Sequence, residues 1–244
     1  MSQDPSGSFP PSIQASKYQP LPFKQAIQQL PAQYARVLLK PSAGVFAQEM
    51  RKAAWDITLV SLVVYTFIYA LVDCIEALYV YPQVEAELVR QGTVSALIIL
   101  NILNAPLTYV LATVVSQVLF DIPLTPIEFF IFAGVTFWFA RMFKGKGDFL
   151  GQCYTLLLWM VPLFLLREVV GSLLFLLPQV GGILGLAVWA LVDTAAIVWF
   201  VLQMKAAHGL STGAALGTVF VPGCIFSALI FCGVIALALL LAGG

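Results

Sequence analysis

The chain has 244 residues, of which 61% are hydrophobic and 10% charged, with twelve Lys and Arg against twelve Asp and Glu. An average soluble domain is about 45–50% apolar and about 25% charged, so charges this sparse cannot cover a water-facing surface. The zero formal charge also excludes a nucleic-acid binder, which needs a basic stripe to neutralise phosphates. An integral membrane protein remains.

Residues 1–33 are rich in Pro, Ser and Gln, with Pro5, Pro10, Pro11, Pro20, Pro22 and Pro31 among them. Such a composition buries too little apolar surface to fold alone, so a disordered cytoplasmic tail is expected over 1–33. The first 30 residues hold no apolar h-region, which predicts that no signal peptide is cleaved and that the first span acts as the signal. Residues 34–244 form the membrane domain. At its start, 34–54 read as a short interfacial helix or a solvated lead-in. Pro41 suits a first helical turn. Phe46, Met50 and Ala53 recur at helical spacing, with Gln48, Glu49 and Lys52 between them.

A bilayer crossing takes roughly 20 apolar residues. Four stretches supply that directly: 55–79, 152–177, 183–204 and 213–241. The first opens on Trp55 and closes on Tyr79 and Tyr81, as interfacial aromatics do. The region 94–143 is apolar but interrupted at Asn104-Ala105-Pro106 and again at Asp121-Ile122-Pro123-Leu124-Thr125-Pro126. Either 94–120 is a sixth span, or it is re-entrant or interfacial and only 126–143 crosses. Charge placement favours five spans. Lys40, Arg51, Lys52, Arg141, Lys144, Lys146 and Lys205 then share one side, which the positive-inside rule makes cytoplasmic, together with the N-terminus. The opposite side holds Glu85, Glu87 and Arg90. The expected fold is all-α, a polytopic transmembrane helical bundle of five spans, six being possible, with an N-terminal interfacial helix.

Ionisable residues inside spans are costly and mark functional or structural pairs. Asp73, Glu76, Arg167, Glu168 and Asp193 form this set. Asp73 and Glu76 share one helix face, and Arg167 is expected to pair with Asp193 or Asp73. Three uses stay open: a structural ion pair, a proton or ion path, and a polar groove for lipid headgroups. Pro162 and Pro222 lie inside spans and are expected to kink them, freeing the carbonyls of Leu158 and Thr218. Gly181/Gly185 and Gly213/Gly217 are close-packing steps. His208 before Gly209 reads as a helix end with a left-handed glycine cap.

No catalytic constellation is legible: there is no Ser–His–Asp set, no carboxylate pair in a cleft and no His-x-x-x-His step. Gly145-Lys146-Gly147 lacks the remainder of a phosphate loop and reads as an inter-span turn. Cys74, Cys153, Cys224 and Cys232 lie singly in apolar stretches, and one His completes no metal site. Neither a cofactor nor a metal is expected, and the chain is not expected to be an enzyme. Arg141, Lys144 and Lys146 form a basic turn suited to anionic headgroups.

Three stretches resemble the Yip-domain family, named for binding Ypt/Rab GTPases in eukaryotes. Leu38-Leu39-Lys40-Pro41 followed by Phe46 is similar to the lead-in of prokaryotic members. Ala140-Arg141-Met142-Phe143-Lys144-Gly145-Lys146-Gly147-Asp148-Phe149, then Gln152, Tyr154 and Pro162, resembles the family's basic-aromatic turn and the span after it. Ala207-His208-Gly209-Leu210-Ser211-Thr212-Gly213 resembles the turn before its last span. The likeness runs over about residues 38–241 and implies a five-span bundle with a cytoplasmic N-terminus. Eukaryotic relatives act in membrane traffic and carry an Asp-Leu-Tyr-Gly-Pro motif before the first span. That motif does not occur in this sequence, so Rab-type GTPase binding is not carried over. Ala214 also stands where relatives often have Lys, so no basic role transfers there.

The resemblance implies a prokaryotic-type member, a non-enzymatic scaffold for partner proteins or lipids in a cell membrane. The alternative is a small transporter, channel or lipid-moving protein using the intramembrane charges. The expected partners are the bilayer and other membrane proteins or a second copy of the chain.

Overall fold

A computed structural model describes residues 18–75, 107–175 and 181–225 of the chain. The side chain of Asp73 and the whole of Glu76 and Cys232 lie outside that set, as do 94–106 and the loop with Glu85, Glu87 and Arg90. Among the described residues all regular structure is helical: α1 (Phe23–Leu39), α2 (Ala43–Met50), α3 (Trp55–Ile75), α4 (Leu107–Met142), α5 (Phe149–Phe175), α6 (Gly181–His208) and α7 (Thr212–Ile225). Four of these, α3, α4, α5 and α6, are long and apolar enough to cross a membrane. They match the expected spans that start near 55, 126, 152 and 183. The described part of the 213–241 stretch is α7.

The bundle is built around α5, which packs on α1, α2, α3, α4 and α6. Its sequence explains the position. Cys153 to Val161 is apolar or small and polar on every face, and all nine residues are buried. A helix apolar all round is a central one. By contrast 67% of the α5 span is buried but only 17% of the α6 span, so α6 lies at the periphery. Pro162 lies inside α5 and Pro222 inside α7, and both helices continue past them.

Three expectations are corrected. Disorder over 1–33 does not hold for 23–33, which belong to α1. Ala26, Leu30, Gln33 and Val37 make one buried stripe at spacings of four, three and four. Composition alone missed it because the stripe is stabilised by packing on α5 rather than by propensity. Pro41 is not in a first turn either: Ser42 is the N-cap of α2, its Oγ accepting from the Val45 amide at 3.1 Å.

The third correction concerns α4. The stretch from Asp121 to Pro126 was expected to interrupt the chain, but one helix of 36 residues runs through Pro123 and Pro126. Residues 107–120 are therefore the extension of the same helix that crosses at 122–142, not a separate re-entrant piece. A proline removes one amide donor and bends a helix without ending it when the next turns are held. Phe129 and Ala133, buried in the core, hold them. At 1.5 Å per residue α4 is about 54 Å long, well over the roughly 30 Å of a hydrocarbon core.

Candidate functional site

The turns 51–54, 143–148 and 209–211 meet at one end of the bundle. The Lys146 amide donates to the His208 carbonyl at 3.0 Å, and the Gln19 amide donates to the Arg51 carbonyl at 2.6 Å. Tyr18 Oη donates to Asp148, and Trp55 packs on Phe149 with ring centroids 6.3 Å apart. Arg51, Lys52, Arg141, Lys144, Lys146 and Lys205 belong to this end, on elements joined by these contacts, while Lys40 is the C-cap of α1.

The turn between α4 and α5 is shaped by its glycines. Lys144 itself takes a left-handed conformation, φ 64°. Gly145 donates to the Ala140 carbonyl at 2.8 Å, closing α4. Gly147 abuts the end of α6 so closely that a Cβ there would lie 2.6 Å from His208 Nδ1 and collide with the Ala207 carbonyl. Gly209 has φ 66° and donates to the Lys205 carbonyl at 2.9 Å, the expected left-handed cap of α6. Of the Gly213/Gly217 step, only Gly217 serves close packing: a Cβ there would meet the Phe143 ring at 2.7 Å, whereas Gly213 faces open space.

The three basic residues of the turn divide into two roles. Arg141 is turned toward its own chain, donating to the Gly145 carbonyl at 3.3 Å and lying 5.0 Å over the Phe137 ring. Lys144 and Lys146 instead border an open depression of about 350 Å³ with Met50, Gly147, Ala206 and Gly209.

Beneath this rim lies a buried amide network that the sequence reading did not single out as a site. Gln152 Nε2 donates to the Ala133 carbonyl and to Thr136 Oγ1, both at 2.8 Å, and Gln152 Oε1 meets His208 Nε2 at 2.7 Å. Gln203 Nε2 donates to Thr155 Oγ1 at 2.8 Å and to the Gln152 carbonyl at 3.3 Å. Gln152, Thr155 and Gln203 are fully buried, and His208 is 2% exposed. The network therefore ties α4, α5 and α6 together where each helix meets the rim. Considering only ionisable residues hid it; counting neutral amides inside spans would have found Gln152 and Gln203.

The N-terminal helices are fastened to the same end. Glu49 of α2 is fully buried, with Arg36 Nη1 at 2.6 Å and Lys52 Nζ at 2.7 Å. It had been placed among the polar residues of an amphipathic helix, but it faces inward, where two cations balance its charge. Tyr154 Oη donates to Gln33 Oε1 at 2.7 Å, and Trp199 Nε1 donates to the Val37 carbonyl at 3.0 Å. Burial pushes the Tyr18 and Tyr34 phenols above their usual range, and for Tyr18 the bond to Asp148 adds to the rise.

The described members of the intramembrane set, Arg167, Glu168 and Asp193, lie toward the other end. Arg167 is 18 residues beyond Phe149, about 27 Å along α5. It pairs with Glu168 and holds its Nε 3.1 Å from Asp193 Oδ1, an ion pair in which the Nε–H is not directed at the carboxylate. Of the two expected partners, Asp193 is at ion-pair distance, and the Asp73 side chain lies outside the described residues. Arg167 also lies 4.7 Å over the Trp189 ring, whose Nε1 donates to the Arg167 carbonyl at 3.2 Å. A Cβ at Gly171 would lie 2.6 Å from Trp189 Cδ1, so the glycine admits the indole. Among the described residues, no three His, Cys, Asp or Glu side chains come together as a metal site.

No protein-family model, curated protein or solved structure matches the chain.

Proposed function

We propose that the chain is a non-enzymatic integral membrane scaffold resembling the Yip-domain proteins, set in a prokaryotic cell membrane with its N-terminus cytoplasmic. One observation carries the reading: α1, α2 and the two basic turns, 51–54 and 143–148, form a single packed end, with lysines at its edge and a hydrogen-bonded core beneath. Such an end holds a fixed arrangement of cations at a membrane surface, where each is worth about 1 kcal/mol against anionic lipid. Arg141 braces the turn, so Lys144 and Lys146 present the charge outward.

The test is anionic-lipid retention. Protein reconstituted with phosphatidylcholine and phosphatidylglycerol is re-extracted, and bound lipid is counted by mass spectrometry. Replacing Lys144 and Lys146 by Gln should lower retained phosphatidylglycerol roughly 10-fold or more, at about 1 kcal/mol per charge. Unchanged retention would contradict the role of the rim.

A small transporter, channel or lipid-moving protein is the second reading. It is favoured by a cleft of about 280 Å³ between α5 and α6 that reaches Arg167 and Asp193. Labelling of a cysteine placed at Asp193 from both sides of the membrane would support it, and labelling from neither side would remove it.

A further inference from the structure

The cleft that reaches Arg167 and Asp193 has two chemically different ends. Its floor is formed by Phe132 of α4 with Trp159 and Leu163 of α5 and Ala196 of α6. Trp159 lies eight residues before Arg167 on α5, about 12 Å nearer the basic rim. The charges stand at the far end, where Arg167 and Asp193 complete the lining. On the Asp193 face of α6 the neighbours are apolar and outward-facing: Ala190, three residues before, is exposed, and Ile197, four residues after, is 40% exposed. In a bilayer such side chains meet acyl tails, so the cleft opens sideways into lipid. An apolar trough with charge at one end is the shape of an amphiphile lying along the bundle.

The charge pattern narrows the headgroup. Arg167, Glu168 and Asp193 sum to one net negative charge. The Asp193 side chain is 59% exposed, so the Arg167 contact leaves much of the carboxylate open to the cleft mouth. A purely anionic headgroup would meet net repulsion here, and a purely cationic one would leave the buried Arg167 Nε–H without a hydrogen-bond acceptor. A phosphodiester of an amino alcohol with a free primary ammonium satisfies both signs. Its phosphate lies against Arg167, and its ammonium donates to Asp193. A quaternary ammonium has no N–H and cannot make the second bond.

We propose that the α5–α6 cleft seats one aminophospholipid of the phosphatidylethanolamine type, with an acyl chain over Trp159 and Ala196 and its headgroup between Arg167 and Asp193. This inference rests on the bundle lying in a bilayer, not on the scaffold role of the basic rim. The two are read on different lipids and fail separately.

The experiment uses the full chain reconstituted in an equimolar mixture of phosphatidylethanolamine and phosphatidylcholine with matched acyl chains. After re-extraction, retained lipid is quantified by mass spectrometry. The parent protein should keep phosphatidylethanolamine about tenfold over phosphatidylcholine, the size of one charge-assisted hydrogen bond. Asp193→Asn, at an exposed position, should fold and lose that preference. Ala196→Phe fills the floor without touching a charge and should lose both lipids. Equal retention of the two lipids by the parent overturns the proposal. So does an unchanged preference in Asp193→Asn, or undiminished lipid in Ala196→Phe.

Discussion

Gln152 and His208 meet across the α5–α6 interface, Oε1 to Nε2 at 2.7 Å, while the Gln152 amide nitrogen reaches back to Ala133 and Thr136 of α4. One side chain thus joins three helices at the level where they enter the rim. Removing a buried partner costs the desolvation of each group left behind, about 1–3 kcal/mol apiece. Gln152→Leu removes the hydrogen bond to His208 Nε2 on α6 and the two donations to Ala133 and Thr136 on α4. Gln203→Leu orphans less, because the Gln203 Oε1 atom accepts no hydrogen bond in the folded protein. Thermal unfolding in detergent should therefore rank the variants, with Gln152→Leu below Gln203→Leu and both below the parent. The opposite order would remove the network from its structural role.

Glu49 joins α2 to α1 through Arg36 while Lys52 holds its other oxygen. The carboxylate is fully buried, but Arg36 is 44% and Lys52 22% exposed, so after Glu49→Ala the cations are partly solvated and the loss is about 1–3 kcal/mol. The loss is local to the N-terminal helices. Hydrogen exchange across 23–50 should accelerate while α5 stays protected. Slow exchange of α1 in Glu49→Ala would show that apolar packing alone holds the helix.

Gly147 and Gly134 make a matched pair. A Cβ at Gly147 collides with the end of α6, whereas one at Gly134 meets nothing within 4 Å. Gly147→Ala should separate the 143–148 turn from His208 and lower the unfolding temperature by several degrees. Gly134→Ala, in the interior of α4, should be neutral or stabilising by up to about 1 kcal/mol from helix propensity. Equal effects in the two variants would mean that the turns do not touch.

Tyr18 gives a pH signature. Its phenol is pushed up by burial and by the bond to Asp148, so the folded state favours the neutral form. The stabilisation is complete below the unfolded phenol's pKa of about 10 and is lost as pH rises through the higher folded value. Proteolysis of the N-terminal arm should therefore stay constant through neutral pH and quicken only in strong alkali. Tyr18→Phe should abolish that alkaline step; a step that persists would assign it to another group.

The four helices long and apolar enough to cross a membrane were legible in the sequence because the apolar run is the physical requirement for crossing a bilayer. The Arg167–Asp193 pair followed from the cost of leaving either charge alone. Three things were not legible. α1 depends on Ala26, Leu30 and Val37 meeting α5, a contact far apart in the chain that composition does not register. The continuity of α4 through Pro123 and Pro126 depends on the buried turn at Phe129 and Ala133. Glu49 looks solvent-facing until Arg36, thirteen residues earlier, is brought to it by the turn between α1 and α2.

The central claim is that the N-terminal helices and both basic turns lie on one side of the membrane. Cysteines placed singly at Lys40, Lys144 and Lys205, in a chain with Cys74, Cys153, Cys224 and Cys232 replaced by Ala, test it directly. An impermeant maleimide is applied to intact cells and then to permeabilised ones. The account predicts that all three sites are protected in intact cells and labelled after permeabilisation. Labelling of Lys144→Cys or Lys205→Cys in intact cells, with Lys40→Cys protected, would place the turns on opposite sides and contradict it.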